Sequence, residues 1–254
     1  MANPVLETNN LGIDFGGLTA VNKLNLTINQ NEIVGLIGPN GAGKTTVFNM
    51  LTKVYKPTRG EILLNGVDTK KMNTVEINKA GIARTFQNIR LFSNLSVIDN
   101  IKTGMNNEFE YSIFDALLHT KKYRDAEKKI NEKAIELLDI FNLLDNKDVK
   151  ASSLPYGAQR RLEIARALAT SPKLLLLDEP AAGMNPQETD ELMNTIKFVR
   201  DKFGICILLI EHDMSLVMNI CERIYVLNYG TLLAKRSPEE IKNNPEVIKA
   251  YLGA

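Results

Sequence analysis

A glycine-rich loop directly after a short apolar run constrains the fold of this 254-residue chain more than any other feature. The run covers residues 33–37, and the loop residues are Gly38, Pro39, Asn40, Gly41, Ala42, Gly43, Lys44 and Thr45. This pattern predicts a strand, a tight loop and a helix in succession, with backbone amides turned toward an anion. The glycines permit that close approach of the backbone. The loop therefore predicts a phosphate site.

The last residues of the loop indicate which phosphates bind there. Lys44 supplies a fixed positive charge suited to the β- and γ-phosphates of a nucleotide. The Thr45 hydroxyl is a hard oxygen ligand suited to Mg²⁺, and we include the next residue, Thr46, in the predicted nucleotide site. A glycine turn that holds nothing is a poor alternative in this strand-loop-helix context.

Two further apolar runs, residues 174–177 and 205–210, lack polar alternation in the same way as the first. Such runs are typical of strands buried on both faces of a mostly parallel sheet. Residues 24–28 instead alternate apolar and polar side chains, which predicts an N-terminal antiparallel β part whose strand has one solvent-exposed face. Residues 224–234 indicate a hairpin, followed by a short helix that begins near Ser237. The predicted fold class is α/β.

Residues 88–169 have a different character. Helical periodicity over residues 126–141, with no buried-strand run, predicts an inserted helical lobe. The nucleotide-binding core then comprises residues 1–87 and 170–254, within a single domain of 254 residues. Basic residues gather in the lobe at Lys121, Lys122, Arg124, Lys128 and Lys129. We interpret them as a solvated helix face because acidic residues lie among them, with lipid headgroups or a partner as the alternatives.

Polar residues follow the second and third apolar runs. In an open α/β sheet, ligands bind at these carboxyl ends of the strands. Asp178 and Glu179 are adjacent carboxylates at the end of a buried strand, which is costly unless a cation or a reaction uses them. We predict that Asp178 holds Mg²⁺ and that Glu179 polarises the attacking water. His212, after the third run, is predicted to donate a hydrogen bond to the γ-phosphate or to sense its loss. His119 is treated as a surface or lobe residue.

Composition narrows the possible partners. The 31 Lys and Arg residues balance 30 Asp and Glu residues, so no strongly basic surface for nucleic acid is expected. No run approaches the roughly 20 apolar residues that cross a bilayer, and the chain begins without a signal-peptide pattern. We therefore expect it on the cytoplasmic side. Cys206 lies in an apolar run and is predicted to be buried, without a redox role.

Together these motifs resemble, in chain order, those of ABC transporter ATPase subunits. The resemblance spans essentially the whole chain and is carried by the phosphate loop, Gln87, residues 154–161, the adjacent Asp178 and Glu179, and His212. The stretches ARTFQNIRLF, LPYGAQRRLEIARAL, DEPAAGMNP and IEHDM look most like the ATP-binding subunit of branched-chain amino acid importers. The resemblance implies an ABC ATPase fold that binds ATP and Mg²⁺.

The family resemblance also implies a transport function and partner proteins. ATP hydrolysis would drive uptake of branched-chain or related amino acids through separate integral-membrane permeases, with a solute-binding protein outside the membrane as an indirect partner. The chain would lie at the cytoplasmic face of the cell membrane and pair with a second ATPase subunit, identical or related. Neither the solute nor the permeases can be identified from the sequence.

The resemblance assigns further roles to individual residues. Phe15 takes the place of the aromatic residue that stacks on adenine, although by sequence alone it fits a core position equally well. Gln87 matches the glutamine that reaches Mg²⁺ and the attacking water, and its loop receives a helix from the membrane subunit. Tyr156, Gly157 and Gln159 lie where the family carries its L-S-G-G-Q signature, which caps the ATP bound to the opposite subunit.

The signature departs from the family pattern. Pro155 replaces the serine that contacts the γ-phosphate, Tyr156 replaces a glycine and Ala158 replaces a glutamine. A helix start is still expected, with Ser152 or Ser153 as its cap and Pro155 in its first turn. Apolar spacing along this helix predicts that the neighbouring residues 160 and 161, both arginines, point outward.

Other classes of nucleotide-binding protein share some of these motifs. An ATPase acting on ribosomes or DNA usually carries two nucleotide domains or a long coiled-coil insertion, and this chain shows neither. A P-loop kinase or GTPase leaves Gln87, residues 154–159 and His212 together unexplained. The ATPase of a lipid or lipopolysaccharide exporter has the same length and motif order, so it remains the alternative.

Overall fold

A computed structural model of the chain describes residues 4–105 and 112–252. Its strands are β1 (Leu6–Phe15), β2 (Leu18–Ile28), β3 (Ile33–Ile37), β4 (Arg59–Leu64), β5 (Val67–Asp68), β6 (Ile82–Arg84), β7 (Leu174–Asp178), β8 (Cys206–Ile210), β9 (Arg223–Asn228) and β10 (Thr231–Arg236). Its α-helices are α1 (Lys44–Leu51), α2 (Thr74–Lys79), α3 (Val97–Gly104), α4 (Ile113–Leu117), α5 (Lys121–Ile140), α6 (Tyr156–Leu168), α7 (Pro186–Phe203), α8 (Met214–Ile220), α9 (Pro238–Lys242) and α10 (Pro245–Leu252).

A six-stranded sheet organises the molecule, in the order β10-β9-β3-β8-β7-β6. Strands β9, β3, β8, β7 and β6 run parallel, and only the edge strand β10 pairs antiparallel. The three apolar runs are neighbouring strands whose residues are all buried, which confirms the predicted two-sided parallel sheet. Because these strands are parallel, their carboxyl ends meet at one edge, where the predicted site residues lie.

A second, antiparallel sheet has the order β2-β1-β4-β5, as predicted for the N-terminal part. Leu24, Leu26 and Ile28 on β2 are fully buried, and they share a hydrophobic core with α1 and with one face of the parallel sheet. The Tyr225 hydroxyl joins the two sheets, because it accepts a hydrogen bond from the Thr27 amide at 3.0 Å. The α/β fold class with an antiparallel β part is confirmed.

Helices α3 to α6 occupy the chain between β6 and β7, where the helical lobe was expected. Their buried residues, such as Leu137 and Leu138, belong to the same core as Leu175 on the other face of the parallel sheet. The boundaries 88 and 169 remain a prediction, and residues 106–111 of this interval lie outside the described residues. Cys206 is buried as predicted. Among the described residues, no helix is both long and apolar enough to span a membrane.

The hairpin and the short helix near the C-terminus also form as expected. Strands β9 and β10 pair directly, and the Ser237 side chain caps α9 in a capping box with Glu240. The cap satisfies amides that the first turn of the helix leaves unpaired.

Candidate nucleotide site

The phosphate loop packs closely against neighbouring backbone segments, and at two positions only glycine fits. Gly38 has φ 150° and Gly43 has φ 100°. A Cβ would lie 2.1 Å from the Leu227 carbonyl oxygen at the first position and 2.8 Å from the Ala20 carbonyl oxygen at the second. No larger residue fits without moving backbone. Helix α1 begins directly after Gly43 with no side-chain cap, so its first amides are left for a ligand.

Lys44 is held inside the loop that precedes it. Its Nζ donates to the carbonyl oxygens of Gly38 at 2.6 Å and Pro39 at 3.0 Å. Burial lowers the pKa of this ammonium group, and the nearby carboxylates of Glu179 and Asp178 act in the opposite direction. The two hydrogen bonds hold the ammonium group at the base of the loop.

The loop opens onto a cleft of about 430 Å³. The predicted site residues that line it are Asn40, Gly41, Ala42, Gly43, Lys44, Thr45, Thr46, Gln87, Glu179 and His212. Leu18, Thr19, Ala20 and Tyr229 also line it, and no sequence pattern had indicated them. The cleft thus brings the loop together with residues that follow three different strands.

Glu179 connects two of the predicted residues across this cleft. Its Oε2 accepts a hydrogen bond from Gln87 Nε2 at 3.0 Å, and its Oε1 lies 2.8 Å from His212 Nε2. Its own amide donates to the Ile210 carbonyl oxygen at 2.9 Å. The carboxylate is thereby fixed at the end of β7, at the wall of the cleft.

Glu211 supports this arrangement and was missed by sequence reasoning. Its Oε1 accepts from the Ala181 amide at 2.8 Å and its Oε2 from the His212 amide at 3.0 Å. Burial raises the pKa of this carboxyl group, and the backbone donors oppose that shift. It ties the turn after β7 to the turn after β8. Its place at the end of the third apolar run was the available signal.

Asp178, the predicted Mg²⁺ ligand, lies behind the cleft lining. It is buried, and its Oδ2 accepts from Arg84 Nη2 at 2.8 Å in an ion pair with almost no solvent exposure. Arg84 also donates from Nη1 to Asn49 Oδ1 at 2.6 Å. Sequence reasoning missed Arg84, although a cation at the end of the short apolar strand β6 was a signal that it pairs with an acid.

The prediction that Arg160 points outward was wrong. Its side chain is 0% exposed, and it pairs with Glu163 at 2.8 Å. It also donates from Nη2 to the carbonyl oxygens of Gln87 at 2.7 Å and Glu179 at 3.1 Å. The apolar spacing of α6 did not reveal this, because carbonyls from distant segments satisfy the guanidinium. Arg160 thereby ties the start of α6 to two residues of the cleft.

The signature segment forms a helix start, but not with the predicted cap. Pro155 is the N-cap of α6 and no side chain bonds the first amides, so the expectation for Ser152 or Ser153 was wrong. Two extended residues separate those serines from the helix, and the Ser153 hydroxyl donates to the Lys150 carbonyl oxygen instead.

Tyr156, Gly157 and Gln159 do not line the cleft of their own chain. Tyr156 is half exposed and packs against Gly183, whereas Gly157 is buried so close to Glu188 that a Cβ would lie 2.6 Å from Oε1. Gln159 Nε2 donates to the Leu154 carbonyl oxygen at 2.8 Å. Their predicted contact with the nucleotide of a second subunit stays a prediction.

Phe15 also lies outside the residues that line the cleft. It is 44% exposed and meets Tyr55 edge to face, with ring centroids 5.2 Å apart. The exposure excludes the core interpretation, while adenine stacking remains a prediction.

The parallel sheet, the phosphate loop at its carboxyl edge and the acidic end of β7 define a P-loop nucleotide-binding domain with an inserted helical region. The chain belongs to the ABC transporter family, since the family model for ABC transporters matches residues 21–182. The model described as a branched-chain amino acid ATP-binding cassette transporter matches residues 237–254.

Curated relatives cover the full chain. The high-affinity branched-chain amino acid transport ATP-binding protein LivG of Escherichia coli is 50% identical over 253 residues, which is 100% of this chain and 99% of the relative. BraF of Pseudomonas aeruginosa, with the same description, is 46% identical with the same coverage. The lipopolysaccharide export system ATP-binding protein LptB of Haemophilus influenzae is 34% identical, covering 98% of this chain and 97% of the relative.

Solved structures agree with the fold. A nucleotide-free ATP-binding cassette from an ABC transporter superposes with a TM-score of 0.85 at 32% identity, covering 99% of this chain and 100% of the other. A protein of Clostridium perfringens described as part of an ABC transporter complex superposes with a TM-score of 0.83 at 26% identity, covering 97% of this chain and 94% of the other.

Proposed function

We propose that this chain binds and hydrolyses ATP, with Mg²⁺, as a subunit of an importer of branched-chain or related amino acids. The observation that carries the hydrolytic part is the Glu179 carboxylate, held by Gln87 and His212 in the same cleft as Lys44. A carboxylate fixed this way beside a phosphate loop suits a water molecule attacking the γ-phosphate.

Some residues of the chain bind its own nucleotide, and others contact the nucleotide of a second subunit. Gly38 to Thr46 hold the phosphates through backbone amides and Lys44, and Phe15 stacks on the adenine. Tyr156, Gly157 and Gln159 complete the site of a second ATPase subunit. The absence of a side-chain cap on α6 supports this, because its first amides are left for an anion.

The donor set suits Mg²⁺. Thr45 and Gln87 line the cleft with oxygen ligands, and Asp178 lies behind them. No group of three or more His, Cys, Asp or Glu within residues 4–105 and 112–252 offers a metal site, which agrees with an ion held by few protein oxygens together with phosphates and water. When bound, Mg²⁺ supplies charge neutralisation on the phosphate oxygens.

The chain's own side chains then act on water and phosphate. Glu179 polarises the water, Gln87 orients it and His212 donates a hydrogen bond to the γ-phosphate. All three share one hydrogen-bonded group, so loss of the γ-phosphate changes the surroundings of Gln87 and of its loop.

The relatives' descriptions support the transport role. We propose that integral-membrane permeases bind at the Gln87 loop, that a solute-binding protein takes part indirectly, and that the chain lies peripherally at the cytoplasmic face of the membrane. The 50% identity to LivG against 34% to LptB favours amino acid import over lipopolysaccharide export.

Replacing Glu179 by Gln tests the hydrolytic assignment. We expect ATP binding to survive while turnover falls by roughly 10²–10⁴-fold, because the amide cannot polarise water as the carboxylate does. Steady-state ATPase assays and nucleotide titration measure both, with the exposed Glu191→Gln as the matched control. Turnover within a few-fold of the unchanged chain would contradict the role of Glu179.

Purification from gently solubilised membranes tests the transport role. Two permeases with a related ATPase are expected to co-purify. Recovery of lipid-export subunits would instead support the exporter alternative.

A further inference from the structure

Residues 112–129 form a helical segment at the surface of the protein, here called the arm. It comprises α4 and the first half of α5, and none of its residues is buried. Side-chain caps nevertheless fix both helices. Ser112 and Asp115 form a capping box on α4, and Thr120 caps α5. The first buried residue of α5 is Ile130, directly beyond the arm, while Tyr123, Ala126 and Glu127 within the arm are partly buried.

The tip of the arm carries large apolar side chains in water. Ile113, Phe114, Leu117 and Leu118 are 71–87% exposed. Residues four apart on a helix share a face, which groups Ile113 with Leu117 and Phe114 with Leu118. Four neighbouring side chains of this size form an exposed patch of the kind that marks a protein or membrane contact.

Cations follow the patch directly. Lys121, Lys122 and Arg124 open α5, and Lys128 and Lys129 lie one turn further. Asp115, the acid within α4, is engaged by the Ser112 and Thr120 hydroxyls, which hold the pKa of its carboxyl below the usual value. Over the arm, the five cations outnumber the acids Asp115, Asp125 and Glu127. An apolar tip beside basic residues is the pattern of a segment that lies on an anionic membrane surface.

We propose that this arm rests on the anionic lipid surface of the membrane. Phe114, Leu117 and their neighbours enter the boundary between headgroups and acyl chains, while Lys121 and Lys122 contact anionic headgroups. The inference rests on the proposed membrane role. It assigns to the protein a lipid contact of its own, in addition to its contacts with permeases.

The exposure and the charge of the arm favour lipid over a docked protein. All four apolar residues of the patch are 71–87% exposed, and five cations follow them in the chain. The groove beside the Gln87 loop is a different surface, about 390 Å³ in size and lined by residues such as Arg84, Phe92 and Arg166. None of the arm's residues lines that groove, so the arm remains available when a permease helix occupies it.

Vesicle flotation of the purified full-length chain tests the proposal. We expect binding to vesicles containing phosphatidylglycerol, and much weaker binding to pure phosphatidylcholine vesicles. The double substitution Phe114→Ser with Leu117→Ser should weaken binding at least about tenfold, and Lys121→Glu with Lys122→Glu several-fold. Raised salt should reduce the second effect.

Matched controls lie elsewhere on the surface. Val67→Ser with Val75→Ser removes exposed apolar residues outside the arm, and Lys70→Glu with Lys71→Glu reverses exposed charges. Both pairs should leave vesicle binding unchanged. ATPase activity of every arm variant in solution should also stay unchanged, since no arm residue lines the cleft.

Two results would overturn the proposal. One is the absence of vesicle binding by the unchanged chain, and the other is vesicle binding that the arm substitutions do not alter. If arm variants instead lose co-purification with permeases while vesicle binding is absent, the patch is a protein contact. Failure of the proposed function would appear separately, as a lack of ATPase activity in the unchanged chain.

Discussion

Helices α1 and α6 begin in the same unusual way but in different surroundings. Neither has a side-chain N-cap, whereas the other described α-helices do. Their capping residues are Asn73, Ser96, Ser112, Thr120, Asn185, Asp213, Ser237 and Asn244. A helix start without a cap leaves amides free for an anion or water.

The two starts differ in what surrounds them. The amides of α1 open into a cleft lined by Lys44, Glu179 and His212 of the same chain. The start of α6 lies outside that cleft, with Pro155 and Tyr156 exposed. We infer that α1 belongs to a phosphate site that one chain largely builds, and that α6 supplies the remaining part of a partner's site.

Replacing Arg160, which connects the start of α6 to residues of the cleft, should have the largest effect. Arg160→Met removes the buried ion pair with Glu163 and leaves the carbonyls of Gln87 and Glu179 without the guanidinium donor. We expect a loss of about 3–5 kcal/mol in the free energy of unfolding, measured by urea denaturation. The half-buried Arg161→Met on the same helix is the control and should lose far less. An equal loss of unfolding free energy in both variants would contradict the proposed connection of α6 to the cleft through Arg160.

Removing the charge at α1 should abolish nucleotide binding and leave α6 unaffected. Lys44→Ala is expected to weaken ATP affinity by at least about 100-fold, roughly 2.7 kcal/mol, because the loop loses its fixed positive charge. Titration with a fluorescent nucleotide measures this. Lys53→Ala, outside the cleft, should bind ATP normally. Unchanged affinity in the Lys44 variant would count against the phosphate site.

A methyl group at the start of α6 should give the smallest effect. In Gly157→Ala the new Cβ forces the Glu188 carboxylate aside, which costs about 1 kcal/mol of stability through its capping box. ATP affinity of the single chain should stay unchanged, while ATP-dependent pairing weakens about tenfold, or ~1.4 kcal/mol. Gly17→Ala, where a Cβ meets open space, is the control. A fall in single-chain ATP affinity would place α6 in its own chain's site.

The sequence predicted the features that depend on local pattern. The phosphate loop, the three buried strands and the carboxylates after β7 follow from spacing and apolar runs, so their meeting at one sheet edge was foreseeable. The burial of Arg160 and the pairing of Arg84 with Asp178 were not foreseeable. Arg160 also binds the carbonyls of Gln87 and Glu179, 73 and 19 residues away, and Asp178 lies 94 residues from Arg84. The cap of α6 was missed because two extended residues separate the serines from the helix.

Analytical ultracentrifugation of the Glu179→Gln chain with ATP tests the central claim, using the chain alone or with any related ATPase that co-purifies. We expect an ATP-dependent pair that Tyr156→Asp disrupts at least about tenfold, because a carboxylate in the first turn of α6 repels the partner's phosphate while suiting the helix itself. Tyr156→Asn should disrupt it less, and single-chain ATP affinity should be unchanged in both. A pair that Tyr156→Asp leaves intact would contradict the account, and so would loss of ATP binding by the single chain.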